Sequence, residues 1–532
     1  MSIKFFKCFF WILILLSFGC ARRGSIDGGR KDTLAPVLKI SFPKNGSVNF
    51  SGKEIKLVFN EYVKLKNLEK QLIVSPPMLK TPRVLPSTAS KVLSIKLDDA
   101  LLPNTTYSFN FGQSIEDNNE SNAYKQFKYV FSTGNFIDSL SIGGSIKDAF
   151  EKKTDNFVSV MLYEVNDKFK DSLIYTQNPR YITNTLDSLK VFRIENIKAG
   201  KYLLVAIKDK NGNNKFDSRT EKIGFQKQFI TIPNDTAFQL ELFKEALPFK
   251  ALKPKQASGN RIILPYEGNS KNLKVTLKNG SEELKTIVTK LEKKDSVQVW
   301  FKPIKVDSLK LTVSKNKYSD DFVVKIKAQK KDTLSFNAVQ TGNLSFRETF
   351  AIHASNPIIK IDDSKIILLN KDSISVKFST KYDDFNQDLK INFKKEPLEK
   401  YKFKLFPGAM IDYLDKKNDT LKYKIDIKNT TDYGNLTVVL EKTKRFPLIV
   451  ELTDSSGKII ATEFSQKATT LEFNLIEPAK YLLRIIYDDN NNQEFDSGSF
   501  LEKRQSEEVF YYPKEIDVRP NWDVNETIDL SK

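Results

Sequence analysis

The chain alternates apolar and polar residues in short runs, and turn residues separate the runs. In the run KEIKLVFNE, Ile55, Leu57 and Phe59 fall on one face, and runs around Val92 and Tyr107 repeat the pattern. Successive side chains of a strand point to opposite faces, so this alternation predicts half-buried β-strands. Short strands at this spacing predict an all-β chain built of antiparallel β-sandwiches.

One strand-plus-loop pattern occurs twice. Residues 201–217 and 480–496 match at 10 of 17 positions with a constant offset of 279. In each copy, a strand beginning KYLL runs into a loop rich in Asp and Asn. A repeat at this separation predicts two related modules with other modules between them.

The repeated strand has two faces. Tyr202, Leu204 and Ala206 share one face, whereas the other face carries Val205 in the first copy and Arg484 in the second. Burying an unpaired arginine is costly. The Tyr202 face and its counterpart in the second copy are therefore predicted to line the core.

Composition favours strands and several domains. The 532 residues include 39 Phe and 19 Tyr against 4 Met, and aromatic side chains suit a half-buried pleated surface. A chain of this length is too long for a single core, which predicts several domains. The net charge is +19, but the charges are scattered, which predicts solvated strand faces. An anionic envelope surface is a better candidate partner than nucleic acid.

The N-terminus carries an export signal. Two lysines precede the apolar run CFFWILILLSFG, which is too short to span a bilayer comfortably as a permanent helix. The run ends at Ser17-Phe18-Gly19-Cys20. The chain has only two cysteines, Cys8 and Cys20, so a disulfide framework in the folded body is excluded.

The end of this run resembles the lipobox of bacterial lipoproteins, with Ser17 where that family usually has Leu. The resemblance implies that residues 1–19 are removed and that Cys20 is lipidated. Acyl chains would anchor the protein, since each buried methylene contributes about 0.8 kcal/mol. By the same resemblance, Ala21 implies outer-membrane sorting. Residues 20–35 form a flexible tether without an acidic run, which favours the periplasmic face over the cell surface.

Residues 36–134 resemble a bacterial Ig-like domain of the SbsA type. The motifs that carry the resemblance follow in order: APVLKISFPKNGS, KEIKLVFNEYV, LLPNTTYSFNFGQSIEDNNES and KYVFSTG. The resemblance implies a spacer or presentation module rather than a catalyst.

The remaining modules are assigned from pattern and resemblance. Residues 140–247 resemble prealbumin-like or carboxypeptidase-regulatory-like β-sandwiches, and residues 434–532 hold the second copy of the repeat. Residues 251–345 predict another sandwich with Trp300 in its core, and residues 346–433 resemble a degenerate Ig-like module. The whole chain resembles envelope lipoproteins of the Bacteroidetes type.

The two loops place oxygen-bearing side chains at positions 1, 3, 5 and 9. These residues are Asp209, Asn211, Asn213 and Asp217 in the first loop and Asp488, Asn490, Asn492 and Asp496 in the second. Alternating oxygen ligands suit Ca²⁺. Thr220 and Ser499 stand where an EF-hand has its bidentate Glu, and Glu221 and Glu502 lie near but out of register. Two interpretations stay open: a turn held by Asx side chains, and a weak Ca²⁺ site in each loop.

Catalytic signals are weak. His353 is the only histidine, and the sequence contains no P-loop, dinucleotide fingerprint or G-x-S-x-G stretch. We therefore predict a non-enzyme without catalytic residues: an outer-membrane-anchored lipoprotein that is a structural or binding component of the envelope. The alternative is a carbohydrate-binding or carbohydrate-active envelope protein. The candidate partners are the membrane, through Cys20, and envelope proteins or glycans.

Overall fold

The computed structural model describes residues 31–186 and 190–531, so the leader and Cys20 lie outside the described residues. The described chain is almost entirely strand and loop, which confirms the all-β prediction. Its α-helices are α1 (Leu68–Gln71) and α2 (Leu173–Thr176), and its 3₁₀ turns are Asp363–Lys365 and Thr430–Asp432. None of these described helices is long and apolar enough to cross a membrane.

The chain divides into two compact units. The first comprises Met1–Ser141, described from residue 31, with Arg180–Leu186 and Ile194–Ala199. The second comprises Ile142–Pro179, Asp187–Arg193 and Gly200–Lys532, without the residues left undescribed.

The first module is a sandwich within the first unit. Its strands are β1 (Leu38–Phe42), β2 (Glu54–Leu65), β3 (Ile73–Ser75), β4 (Arg83–Leu85), β5 (Ser90–Lys96), β6 (Thr106–Asn110), β7 (Ile115–Asp117) and β8 (Lys128–Ser132). One sheet has the order β1-β2-β5-β4 with β7 on β2, and the other has the order β3-β6-β8. The predicted face of Ile55, Leu57 and Phe59 is buried in a core shared with Tyr107 and Phe109.

The second module carries the first Asp/Asn loop. Its strands are β9 (Leu140–Asp148), β10 (Ser159–Glu164), β12 (Val191–Ile197), β13 (Gly200–Ile207), β14 (Ile223–Phe225), β15 (Ile230–Ile232) and β16 (Ala237–Leu242). β11 (Tyr181–Asn184) and residues 194–197 of β12 belong to the first unit. In one sheet β13 lies between β10 and β14, and β15 also pairs with β13; the other sheet has the order β12-β9-β16. β16 runs parallel to β9.

The third module follows directly. Its strands are β17 (Lys250–Ala251), β18 (Lys255–Ser258), β19 (Arg261–Glu267), β20 (Lys274–Asn279), β21 (Glu282–Leu284), β22 (Thr286–Lys290), β23 (Ser296–Phe301), β24 (Ser308–Lys315) and β25 (Tyr318–Lys325). Two sheets form, with the orders β17-β19-β23-β22 and β21-β20-β24-β25, and β18 pairs with β19. Trp300 is buried, but not in the predicted core: Val299 and Phe301 of β23 lie in the core of this module. Trp300 points to the opposite face of the strand, where its ring lies 5.7 Å from that of Tyr413.

The fourth module begins earlier than the sequence pattern indicates. Its strands are β26 (Phe336–Ala338), β27 (Gly342–Asn343), β28 (Phe350–Ala354), β29 (Ile358–Ile361), β30 (Ile366–Leu369), β31 (Phe378–Asp383), β32 (Asp388–Phe393), β33 (Lys400–Leu405), β34 (Met410–Asp412) and β35 (Leu421–Asp426). β26 pairs with β28, and β27 pairs with β35. β26 and β27, which lie within the predicted third module of residues 251–345, therefore belong by their pairing to the sheets of the fourth module.

The fifth module carries the second loop. Its strands are β36 (Gly434–Glu441), β37 (Leu448–Thr453), β38 (Ile459–Ser465), β39 (Thr470–Ile476), β40 (Ala479–Tyr487), β41 (Val509–Tyr511), β42 (Ile516–Val518) and β43 (Asp523–Asp529). Its sheets have the orders β38-β37-β40-β41, with β42 on β40, and β39-β36-β43. β43 runs parallel to β36. The second and fifth modules thus share one strand order, in which β40 takes the place of β13.

Candidate functional site

The first loop begins where β13 ends and is held by its own side chains. Asp209 accepts the amide of Gly212 through Oδ1 and the amide of Asn214 through Oδ2, both at 2.8 Å. Asn211 and Asn213 each accept the amide two residues on. Gly212 and Asn214 have φ of +70° and +57°, a region that glycine and asparagine tolerate best. The sequence therefore folds here into consecutive Asx turns.

Glu221 closes the first loop from inside the protein. Its side chain is fully buried. Oε1 accepts the amide of Lys210 and Oε2 accepts the amide of Asp217, both at 2.9 Å. The amide of Arg219 and the hydroxyl of Thr220 donate to Asp217 and lower its pKa below the usual value. The Glu221 side chain therefore supports the loop by accepting hydrogen bonds from the loop's backbone amides.

The second loop repeats this arrangement. Asp488 accepts the amides of Asn492 at 3.0 Å and Gln493 at 2.9 Å. Glu507 accepts the amide of Asp489 through Oε1 at 2.8 Å and that of Asp496 through Oε2 at 2.9 Å. Burial raises the pKa of Glu507 above its usual value, although the two donated amides act in the opposite direction. Glu507, and not Glu502, is therefore the counterpart of Glu221.

Asp496, the last predicted ligand of the second loop, already accepts hydrogen bonds from within the loop. Asn490 and Asn492 both donate their side-chain amides to Oδ2 of Asp496, at 2.5 and 2.7 Å. In the described residues, no group of three or more His, Cys, Asp or Glu side chains is arranged to hold a metal ion. Each loop offers two carboxylates and two Asn side chains whose oxygens already accept backbone amides. The Ca²⁺ site stays a prediction.

The outer face of the repeated strand differs from the sequence-based expectation. Tyr202 and Tyr481 are 2% exposed, as predicted for the core face. Arg484, on the other face, is also 2% exposed. Its Nε and Nη2 donate to Oε2 of Glu451 at 2.7 and 2.6 Å. The sequence did not indicate that this face is buried as well, because the partner charge comes from Glu451 on the neighbouring strand.

Arg484 also contacts the other loop module. Its guanidinium lies 3.9 Å from the ring centroid of Phe150, and Tyr511, which accepts from Arg484, donates to the carbonyl of Phe150. The ring of Phe495 lies 4.5 Å from that of Phe150. The second and fifth modules are therefore packed together within the second unit.

His353 lies in β28 and pairs across the sheet with Asp388. Nδ1 of His353 is 2.9 Å from Oδ1 of Asp388, and the two side chains are 27% and 24% exposed. Paired residues on adjacent strands point to the same face, so this contact follows from strand register.

Sequence reasoning missed Glu507 and Phe500. Glu507 was missed because the offset of 279 fails after Asp496: three residues separate Asp217 from Glu221, whereas ten separate Asp496 from Glu507. The shared signal is a glutamate two residues before the next strand, since Glu221 precedes Ile223 of β14 and Glu507 precedes Val509 of β41 at that spacing. Phe500 lies in the longer segment and is fully buried, but nothing in its sequence context signals burial.

Comparison with known proteins identifies the first module. A family model described as a bacterial Ig-like domain matches residues 32–133, which agrees with the resemblance found over residues 36–134. Comparison with curated proteins gives no match.

Three solved multidomain structures are similar to the chain at low sequence identity. Surface layer protein SbsC, domains 1–6, is 11% identical, with 91% of this chain and 67% of that chain covered and a TM-score of 0.16. The tandem Ig repeats of Dlar are 13% identical, with 34% and 99% covered and a TM-score of 0.13. Titin domains I67–I69 are 10% identical, with 52% and 99% covered and a TM-score of 0.13.

Proposed function

We propose that this chain is a non-enzymatic, lipid-anchored structural component of the cell envelope, held in the outer membrane through Cys20 with its body on the periplasmic face. The observation that carries the proposal is the combination of an export signal ending in Cys20 with an Ig-like first module and further β-sandwiches. Such modules act as spacers and supports, and their position at the end of a tether suits that role.

The internal use of polar groups supports a structural role. Glu221 and Glu507 bind loop amides, Arg484 binds Glu451, and His353 contacts Asp388. These side chains stabilise turns and pairs of strands, as the polar groups of a structural protein would.

Lipidation is tested by comparing Cys20→Ala with Cys8→Ala in the native host. We expect the wild-type chain and Cys8→Ala to incorporate an alkyne-labelled fatty acid and to fractionate with outer membranes, since Cys8 lies in the leader. Cys20→Ala should lose the label, and globomycin should block maturation of the wild-type chain. Unlabelled wild-type protein in the soluble fraction would refute the anchor.

The orientation is tested by protease treatment of intact cells. A periplasmic body should resist added protease until the outer membrane is permeabilised, whereas a surface-exposed body should be digested at once. A periplasmic protein of known topology serves as the control for membrane integrity.

A further inference from the structure

The second loop contains a segment that the first loop lacks. Glu221 and Glu507 accept equivalent pairs of backbone amides, so the two loops correspond both before and after the extra segment. Between the corresponding acidic residues the second loop has ten residues where the first has three, a difference of seven. We call residues 497–506 of the second loop the strap.

The strap has a defined shape of its own. The amide of Ser499 donates to the carbonyl of Arg504 at 2.8 Å, and the amide of Arg504 donates back at 2.9 Å. The amide of Lys503 donates to the carbonyl of Phe500 at 3.1 Å. Leu501 is 61% exposed, whereas Phe500 beside it is fully buried. The hairpin therefore presents one aromatic side chain to its surroundings.

Phe500 is buried against the second module. Its ring meets the ring of Phe225 edge-on, with centroids 5.2 Å apart and planes at 89°. Phe243 lies behind Phe225, with centroids 6.1 Å apart. A Cβ on Gly498 would lie 2.5 Å from the ring of Phe243. The strap thus needs glycine at this position to approach the aromatic surface.

Polar contacts surround this aromatic anchor. The amide of Phe500 donates to Oε1 of Glu245 at 2.6 Å, and Nζ of Lys503 lies 2.5 Å from Oδ1 of Asp171. Gln505 donates to the carbonyl of Phe225 at 2.8 Å, and the hydroxyl of Ser497 donates to the carbonyl of Lys244. We call the surface formed by Asp171, Phe225, Phe243, Lys244 and Glu245 the seat.

We propose that the seat is a peptide-binding site and that the strap is its tethered ligand, recognised as an aromatic residue followed three positions later by lysine. A buried aromatic anchor inside a polar rim is the usual anatomy of a recognition site. Carrying the ligand on the same chain supplies an effective concentration of roughly millimolar. A site that binds the free peptide with a dissociation constant below this concentration is therefore filled in the native chain.

The site can be emptied without removing the other contact between the two modules. Arg484, Phe495 and Tyr511 meet Phe150 through residues outside the strap. Replacing residues 497–506 with Ser-Arg-Thr, the residues that separate Asp217 from Glu221, gives the second loop the length of the first. This shortened chain keeps Glu507 and exposes the seat.

The test is binding of a fluorescently labelled peptide, residues 496–507, to the purified full chain by anisotropy. We expect saturable binding to the shortened chain and no binding to the wild-type chain, whose seat is occupied. The Phe500→Ala peptide should bind at least about tenfold more weakly, because it lacks the anchor. Hydrogen exchange of β13 and β40 checks that the shortened chain is folded.

A second variant keeps the test valid if the shortened chain misfolds. Phe500→Ala in the full chain keeps the loop length and removes the anchor, so it should also accept the labelled peptide. The proposal is overturned if the peptide binds neither chain, if it binds the wild-type chain equally well, or if the Phe500→Ala peptide binds as tightly as the native sequence.

Discussion

The two copies of the repeated strand agree on one face and differ on the other. On the core face, Tyr202 and Tyr481 are equally buried. On the outer face, Val205 pairs with Met161 in the first copy, whereas Arg484 pairs with Glu451 in the second. An apolar pair in one module thus corresponds to an ion pair in the other.

The difference shows where duplicated modules are free to change. The core face is constrained by the opposing sheet, because each side chain there fills space left by its neighbours. The outer face is constrained only by what covers it, and in the fifth module Phe150 of the second module lies against it. Arginine suits this position because its planar guanidinium stacks on an aromatic ring while it binds a carboxylate.

The largest expected effect comes from breaking the ion pair. Glu451→Ala should destabilise the fifth module by about 3–5 kcal/mol, because it leaves the charge of Arg484 buried without a partner. The double variant Glu451→Met with Arg484→Val, which reproduces the pair of the first copy, should recover most of this loss. Native-state hydrogen exchange of β37 and β40 measures both.

Exposed ion pairs in the same module provide the control for this experiment. Lys442→Ala removes the contact with Asp529, in which the lysine side chain is 62% exposed, and it should change stability far less than Glu451→Ala does, because solvent screens the pair. An equal loss in Lys442→Ala and Glu451→Ala would mean that burial does not set the strength of the pair.

The second expected effect concerns the buried glutamates. Glu221→Ala and Glu507→Ala should each cost roughly 2–3 kcal/mol locally, because two backbone amides lose a charged acceptor. Glu502, which is 68% exposed, is the matched control, and Glu502→Ala should stay within about 0.5 kcal/mol. Hydrogen exchange of the amides of Lys210 and Asp489 is the measurement. Equal protection in Glu502→Ala and Glu507→Ala would reject the equivalence of the two loops.

These residues also show how far the sequence could be read. Alternation identified the strands and the core face of Tyr202, because the period of a strand is set by the chain itself. It could not identify the role of Arg484, because the partner Glu451 lies on another strand, 33 residues away. It could not place Glu507, because the strap interrupts the repeat. Tertiary pairing, and not local pattern, decides both.

The raised pKa of Glu507 predicts a dependence of stability on pH, and this effect should be smaller than that of Glu507→Ala. Burial raises this pKa above the usual value for glutamate, so the folded state binds a proton more readily than the unfolded state. The second loop should therefore gain stability as the pH falls through the raised pKa and lose it as the pH rises. Glu507→Gln should flatten this part of the pH profile, as measured by thermal unfolding. An unchanged profile would exclude Glu507 as the titrating group.

Calcium gives the smallest expected effect and tests the interpretation that the sequence left open. With a dissociation constant of about 1 mM, typical of weak extracellular sites, 1 mM Ca²⁺ would stabilise each loop by about 0.4 kcal/mol. We expect slower exchange of the amides of Asn214 and Gln493, with the larger change in the first loop. In the second loop, Asn490 and Asn492 already bind Asp496, and Ca²⁺ would have to displace them. Equal concentrations of Mg²⁺ control for ionic strength, and the absence of any change up to 10 mM Ca²⁺, roughly tenfold above that dissociation constant, would leave both loops as turns.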